Sequence, residues 1–160
     1  MSLQEILNLV QIFSLVIITG GTLVIGALVA PSLFNNLSRE EAGTLMVEVF
    51  GKFASWIKVS AILIALTKLV EFIYVAKFSF FITTGTGEEV TKLLNSALLN
   101  STILALAIVA ISLHIAMNLS PAIVEAYEND SDEFSKLHKQ SEVLHRVNFV
   151  LGAIMLLSFI

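Results

Sequence analysis

Of the 160 residues, 56% are apolar and 14% are charged, and the mean hydropathy is +0.89. About a quarter of the residues in a soluble domain are charged, so this composition excludes an ordinary soluble globule and points to one all-α domain embedded in a bilayer. A net charge of −4 excludes nucleic acid as a partner, since that needs a basic face, and the absence of cysteine excludes disulfides and thiolate metal sites.

A helix crosses the hydrocarbon core with about 20 mostly apolar residues. The first such stretch, 7–30, carries no charge and is expected to end at Pro31, whose ring and missing N–H oppose a continuing helix. No basic segment precedes it, so no cleavable signal peptide is expected. Gly20-Gly21 predicts a tight crossing or a small kink. Thr22-x-x-x-Gly26-x-x-x-Ala30 is a small-residue stripe suited to a helix–helix seam or a homodimer surface.

Next, Ser38-Arg39-Glu40-Glu41 has the capping-box pattern of a helix start. Ala42, Leu45, Met46, Val49, Phe50 and Phe53 then share one helical face, and Arg39, Glu40, Glu41, Glu48 and Lys52 take the other. The spacing predicts an amphipathic helix over 39–50, lying on the membrane or docked on the protein, with Gly51 as its joint to the next span. That second span, 54–78, is bracketed by Trp56 and Tyr74, whose separation suits two aromatic belts. It contains Lys68 and Glu71, three apart on one face. A charge in lipid must pair, face a cavity or reach the interface, so the two form an ion pair or a proton- or anion-handling site.

Residues 83–87 read as a turn, with Thr86-x-x-Glu89 capping the third span, 93–119, which contains a second small stripe, Ser101-x-x-x-Ala105, and breaks near Pro121. The connection after it is acidic (Glu125, Glu128, Asp130, Asp132, Glu133) but lacks the spacing of a calcium loop. The fourth span, 143–160, is uncharged only from 147 onward and continues a helix that starts in water near Asp132. The architecture expected is therefore a polytopic bundle of four transmembrane helices plus one amphipathic interfacial helix, without an internal repeat. Lysine and arginine concentrate around the first and third connections, which puts those in the cytoplasm and both termini outside.

On the fourth helix, His138, Ser141, His145, Asn148 and Gly152 make one polar seam; on the third, Asn100, Ala107, His114, Asn118 and Pro121 make a comparable one. His114 and His145 should lie at similar depth. Such a pair, with His138 nearby, can ligate haem or a transition metal, or else fix helix register through hydrogen bonds.

The stretch Ala30-Pro31-Ser32-Leu33-Phe34-Asn35-Asn36-Leu37-Ser38-Arg39-Glu40-Glu41-Ala42-Gly43, the later Phe134-Ser135-Lys136-Leu137-His138-Lys139-Gln140-Ser141 and Gly20-Gly21 resemble the four-span family called domain of unknown function 4149, whose members are similar to transmembrane protein 205. In layout the family is distantly similar to copper-resistance-D-type and tetrapyrrole-oxidase-type membrane proteins. The resemblance implies a small polytopic protein and singles out Pro31, Arg39, Gly43, Pro121, His138 and Ser141. The chain departs from the pattern at His145, where asparagine is expected, and beside Pro121, where a basic residue is expected.

No nucleophile–base pair or metal-spacing motif appears, which favours a non-enzymatic scaffold, accessory subunit or small carrier in the bilayer. Two alternatives stand beside it. One is a haem- or metal-binding redox module on His114 and His145. The other is a dimeric transporter passing a small hydrophobic or anionic solute by Lys68, Glu71 and the Gly20-Gly21 crossing.

Overall fold

The computed structural model describes residues 1–82, 88–129 and 133–159, with side chains described outside 75–98. Their regular structure is all helical. Helix α1 (Leu3–Val24) starts on a capping box that the sequence carries as Ser2-x-x-Glu5: Ser2 Oγ accepts from the Glu5 N–H at 3.2 Å, and Glu5 accepts from the Ser2 N–H at 2.8 Å.

The rod does not stop at Pro31. Residues Ile25–Val29 open into a π turn, in which the Ala30 N–H bonds to the Ile25 carbonyl, and α2 (Ala30–Asn36) continues beyond the proline. A proline in an α-helix collides with the carbonyl four residues back; a wider turn just before it shifts that carbonyl aside. The same device recurs. Helix α4 (Glu88–His114) is followed by a π turn at Ile115–Leu119, where the Ser120 N–H bonds to the Ile115 carbonyl, and α5 (Ser120–Glu128) runs on through Pro121.

The two rods therefore form an internal repeat, contrary to the sequence expectation. It extends to burial: Leu15 and Ala105, Ile18 and Ile108, and Ile25 and Ile115 occupy equivalent positions, and all six are buried. Sparse identity, such as Ile25 with Ile115 and Pro31 with Pro121, hides it.

Helix α3 (Arg39–Ile82) begins on the expected capping box, with Ser38 and Glu41 exchanging backbone and side-chain bonds at 3.1 and 3.3 Å. It then passes through Gly51 unbroken. One glycine costs a helix about 1 kcal/mol relative to alanine, which the packing around Met46, Phe53 and Ile57 outweighs, so the predicted joint is absent. Helix α6 (Glu133–Leu157) completes the chain. The predicted turn and cap at 83–87, and the middle of the acidic connection at 130–132, lie outside the described residues.

One core cluster joins α1, α3, α4 and α6: Leu15, Ile18, Ala61, Ile64, Ala105, Ile108, Val109 and Met155. A second, around Ile25, Met46, Phe53 and Ile57, sits beside the π turns. The outer surface is also apolar, with Phe13, Leu66, Ile103, Leu106 and Ile154 all more than half exposed. Water would oppose that arrangement and lipid would not. Among the described residues, three helical stretches are long and apolar enough to cross a membrane: Leu3–Asn36, Arg39–Tyr74 and Leu99–Glu128. The sequence expects a fourth in α6, which is not among these three.

Candidate functional site

The ends of the rods separate around α6. An open cleft of about 1470 Å³ lies between the first rod (the end of α1, its π turn and α2) and α6, floored by the start of α3 and by α5. Thr22, Gly26 and Ala30 line one wall. This stripe is not the closed helix–helix seam its spacing suggests, because a Cβ on Gly26 would meet no atom within 4 Å. The second stripe does form a seam: Ser101 accepts from Lys68 at 3.3 Å, and Ala105 is buried in the core.

The opposite wall is a ladder of six rings from three helices. Phe53, His145, Phe50, His138, Phe134 and Tyr127 follow one another with centroid separations of 6.4, 6.1, 6.4, 5.7 and 5.4 Å. Two of the contacts are edge-on, the preferred geometry for rings whose faces are negative and edges positive. The sequence marks these aromatic residues only as parts of separate helices, since nothing local joins α3, α5 and α6.

Most residues singled out by the family motifs meet here. Arg39, Gly43, His138 and Ser141 line the cleft. Gly43 leaves room for Tyr127, whose hydroxyl oxygen would lie 3.0 Å from a Cβ at that position. The Tyr127 hydroxyl lies 3.1 Å from Thr44 Oγ1 and donates to the Glu40 carbonyl at 3.3 Å, tying α5 to α3. Ser141 is buried and turns His145. Its carbonyl oxygen lies 2.9 Å from His145 Nδ1, and a carbonyl only accepts, so in this bond Nδ1 is the donor. Pro31 and Pro121 act at one remove, through the π turns that set the directions of α2 and α5.

The seam on α6 holds as expected. His138 and His145 line the cleft, Gly152 is packed so closely that a Cβ would fall 2.3 Å from Thr19 Cγ2, and buried Asn148 donates to Ser112 Oγ at 2.8 Å. The matching seam on α4 does not. Ser112 is the residue turned toward α6, and two residues along a helix is a rotation of about 200°. His114 is therefore exposed, with Nδ1 3.3 Å from Asn118 Nδ2 on its own helix; Asn100, Asn118 and Pro121 are exposed as well. His145 lines the cleft and His114 does not. His138 and His145 do share the cleft, with the Phe50 ring between them. Among the described residues no group of three or more His, Asp or Glu is gathered as a metal site.

The second polar site is at the other end of the core. Lys68 Nζ donates to Glu71 Oε2 at 2.8 Å, and Gln4 Nε2 donates to Glu71 Oε1 at 2.8 Å. Both charged side chains are buried, and the pair with its amide and hydroxyl partners is well satisfied. Gln11 beside it is wholly buried, and among the described residues neither of its amide atoms has a partner at hydrogen-bond distance. Gly21 is a tight crossing, with a Cβ falling 2.3 Å from the Phe53 ring, while Gly20 meets only Val16 of its own helix.

Residues 13–129 match the model of a family described as a domain of unknown function, DUF4149. The chain belongs to that family. The match takes in the first rod from residue 13 onward, the second rod, both π turns and Arg39 and Gly43 of the cleft, and ends before α6 with His138, Ser141 and His145. No curated protein and no solved structure matches the chain. Within this DUF4149 chain, then, the matched region supplies one wall, the floor and three rings of the ladder (Phe50, Phe53 and Tyr127), and α6 supplies the other three, Phe134, His138 and His145.

Proposed function

We propose that this protein is a four-span, non-catalytic membrane protein that holds a small amphiphilic molecule in the cleft, as a carrier or an accessory subunit. The carrying observation is the convergence of Arg39, Gly43, His138 and Ser141, distant in sequence, on one open cavity. The wall opposite the ladder is apolar and small (Leu23, Ile25, Gly26, Ala27, Ala30), and polar groups collect at the mouth, which is the pattern an amphiphile requires. In this reading α6 crosses as the fourth span over 143–160, the first and third connections are cytoplasmic, both termini are outside, and the charged face of residues 39–50 lies at the interface. Two copies facing each other across the cleft would also suit a homodimer.

The chain has no cysteine, so single introduced cysteines report topology directly. Asn36→Cys and Asn129→Cys should label from one side, and Ser2→Cys and Ser158→Cys from the other. A Ser158→Cys that labels with Asn129→Cys removes the fourth span. Native mass spectrometry from mild detergent should find a bound amphiphile that Gly26→Trp expels. Wild-type protein that carries none, or that turns over a substrate in a His145-dependent manner, overturns the functional reading.

A further inference from the structure

Resting on that reading of the cleft, we infer that its occupant is a phospholipid with a zwitterionic head group, bound through phosphate by Arg39 and through ammonium by Glu40, Glu128 and the Tyr127–Phe134 rings. The argument begins with charge accounting at the mouth. Arg146 is neutralised by Glu142, four residues away on α6. Arg39, Glu40 and Glu128 also line the cleft, and among the described residues none of their charged groups has an ion-pair partner. Among the described residues of the cleft lining, one cation thus stands unpaired with two carboxylates.

A purely anionic head group would satisfy Arg39 but face both carboxylates. A purely cationic one would leave Arg39 opposed. A zwitterion answers all three. Guanidinium matches phosphate oxygens with paired donors, and an ammonium group is held by carboxylates and by ring faces. The rings are in place: Tyr127 is fixed by its bonds to α3, and Phe134 lies 5.4 Å from it at the mouth end of the ladder. The cavity is larger than the roughly 300–1,000 Å³ of small-molecule pockets and is open along its length. An acyl chain running along Ile25, Ala27 and Ala30 fits that shape better than a compact solute.

The test is native mass spectrometry of the detergent-purified full chain, titrated with phosphatidylcholine, phosphatidylethanolamine and phosphatidylglycerol of equal chain length. The two zwitterionic lipids should bind about tenfold tighter than phosphatidylglycerol, a difference of about 1.4 kcal/mol. Arg39→Gln should weaken all three. Glu128→Gln should bring phosphatidylglycerol up to the level of the others; both side chains are exposed, so folding is retained. Free phosphocholine at the same concentration should fail to displace lipid. Equal binding of the three lipids to the wild type, a preference unchanged by Glu128→Gln, or displacement by free phosphocholine overturns the inference while leaving the cleft as a site. Lipid binding unaffected by both Gly26→Trp and Ala27→Trp overturns the cleft reading itself.

Discussion

The two π-turn rods begin from the same geometry and end in opposite states. Around the second, Ile115, Leu119, Ile123 and Ala126 are all buried, because α3 packs along one side of the π turn and α5 while α6 closes the other. Between that π turn, α3 and α6 lies a crevice of about 20 Å³, room for one water, while the far end of α5 floors the cleft. Around the first, Ile25 alone of the π turn is buried; Gly26, Ala27 and Leu28 are exposed, and α2 has no packed contact with α6. A repeated unit has one copy used for cohesion and the other left open. The side chains decide which. The second rod presents Ile, Leu and Tyr to its neighbours, and the first presents Gly and Ala, which cannot fill the gap to α6.

If this contrast is real, equivalent substitutions in the two rods must differ in effect. The largest difference is expected from truncating the isoleucine that opens each π turn. Ile115→Ala leaves a hole in a site walled on all sides and should cost about 3–4 kcal/mol, within the usual range of about 2–5 for such truncations. Ile25→Ala borders the cleft, where the deleted atoms are partly replaced by detergent or lipid, and should cost about half as much. Chemical or thermal unfolding in one detergent gives both numbers. Equal losses would mean that the first rod is as tightly enclosed as the second.

Glycines provide the next comparison. At Gly152 a side chain meets Thr19 Cγ2 at 2.3 Å, and Thr19 cannot yield easily because it is buried and its hydroxyl donates to the Leu15 carbonyl at 2.7 Å. Gly152→Val should destabilise by about 1–3 kcal/mol, the cost of overpacking. Gly26→Val, in open space, should leave the melting temperature close to wild type while reducing the cleft's capacity. A melting temperature that falls equally for both would close the cleft in the native protein.

Much of this was legible in the sequence, and the reasons for the remainder are specific. The capping box at Ser38, the polar seam from His138 to Gly152 and the Lys68–Glu71 pair are set by spacing within one helix, and helical spacing is readable. The unbroken helix at Gly51 was not, because the opposing term is burial of Met46, Phe53 and Ile57 against other elements. Pro31 was read as a stop because an α-helix offers no alternative; a π turn costs little when its carbonyls find partners, and no residue type announces it. The exposure of His114 has a related reason. Its depth follows from counting, but its azimuth is set by Ser112 bonding to Asn148 on another helix. Nothing local singles out Tyr127, because its partners, Gly43 and Thr44, are more than eighty residues away in sequence.

That tyrosine carries the smallest and most local prediction. Its hydroxyl is shared between Thr44 and the Glu40 carbonyl, and its ring occupies the space that Gly43 leaves empty. Tyr127→Phe keeps the ring and its place in the aromatic ladder and removes only the hydroxyl, so it should cost about 1 kcal/mol, the net worth of an ordinary hydrogen bond. Tyr127→Ala also removes the ring, which detaches α5 from the start of α3 and ends the ladder at Phe134; it should cost more and should weaken head-group binding as well. The order of the two variants separates the parts. If the phenylalanine variant is as damaged as the alanine one, α5 is held by its polar bonds and the ladder is incidental. If instead phenylalanine is nearly neutral and alanine is not, ring packing rather than the polar bonds holds α5 to the start of α3, and the first rod lacks it because Leu37, not an aromatic residue, stands at the position equivalent to Tyr127.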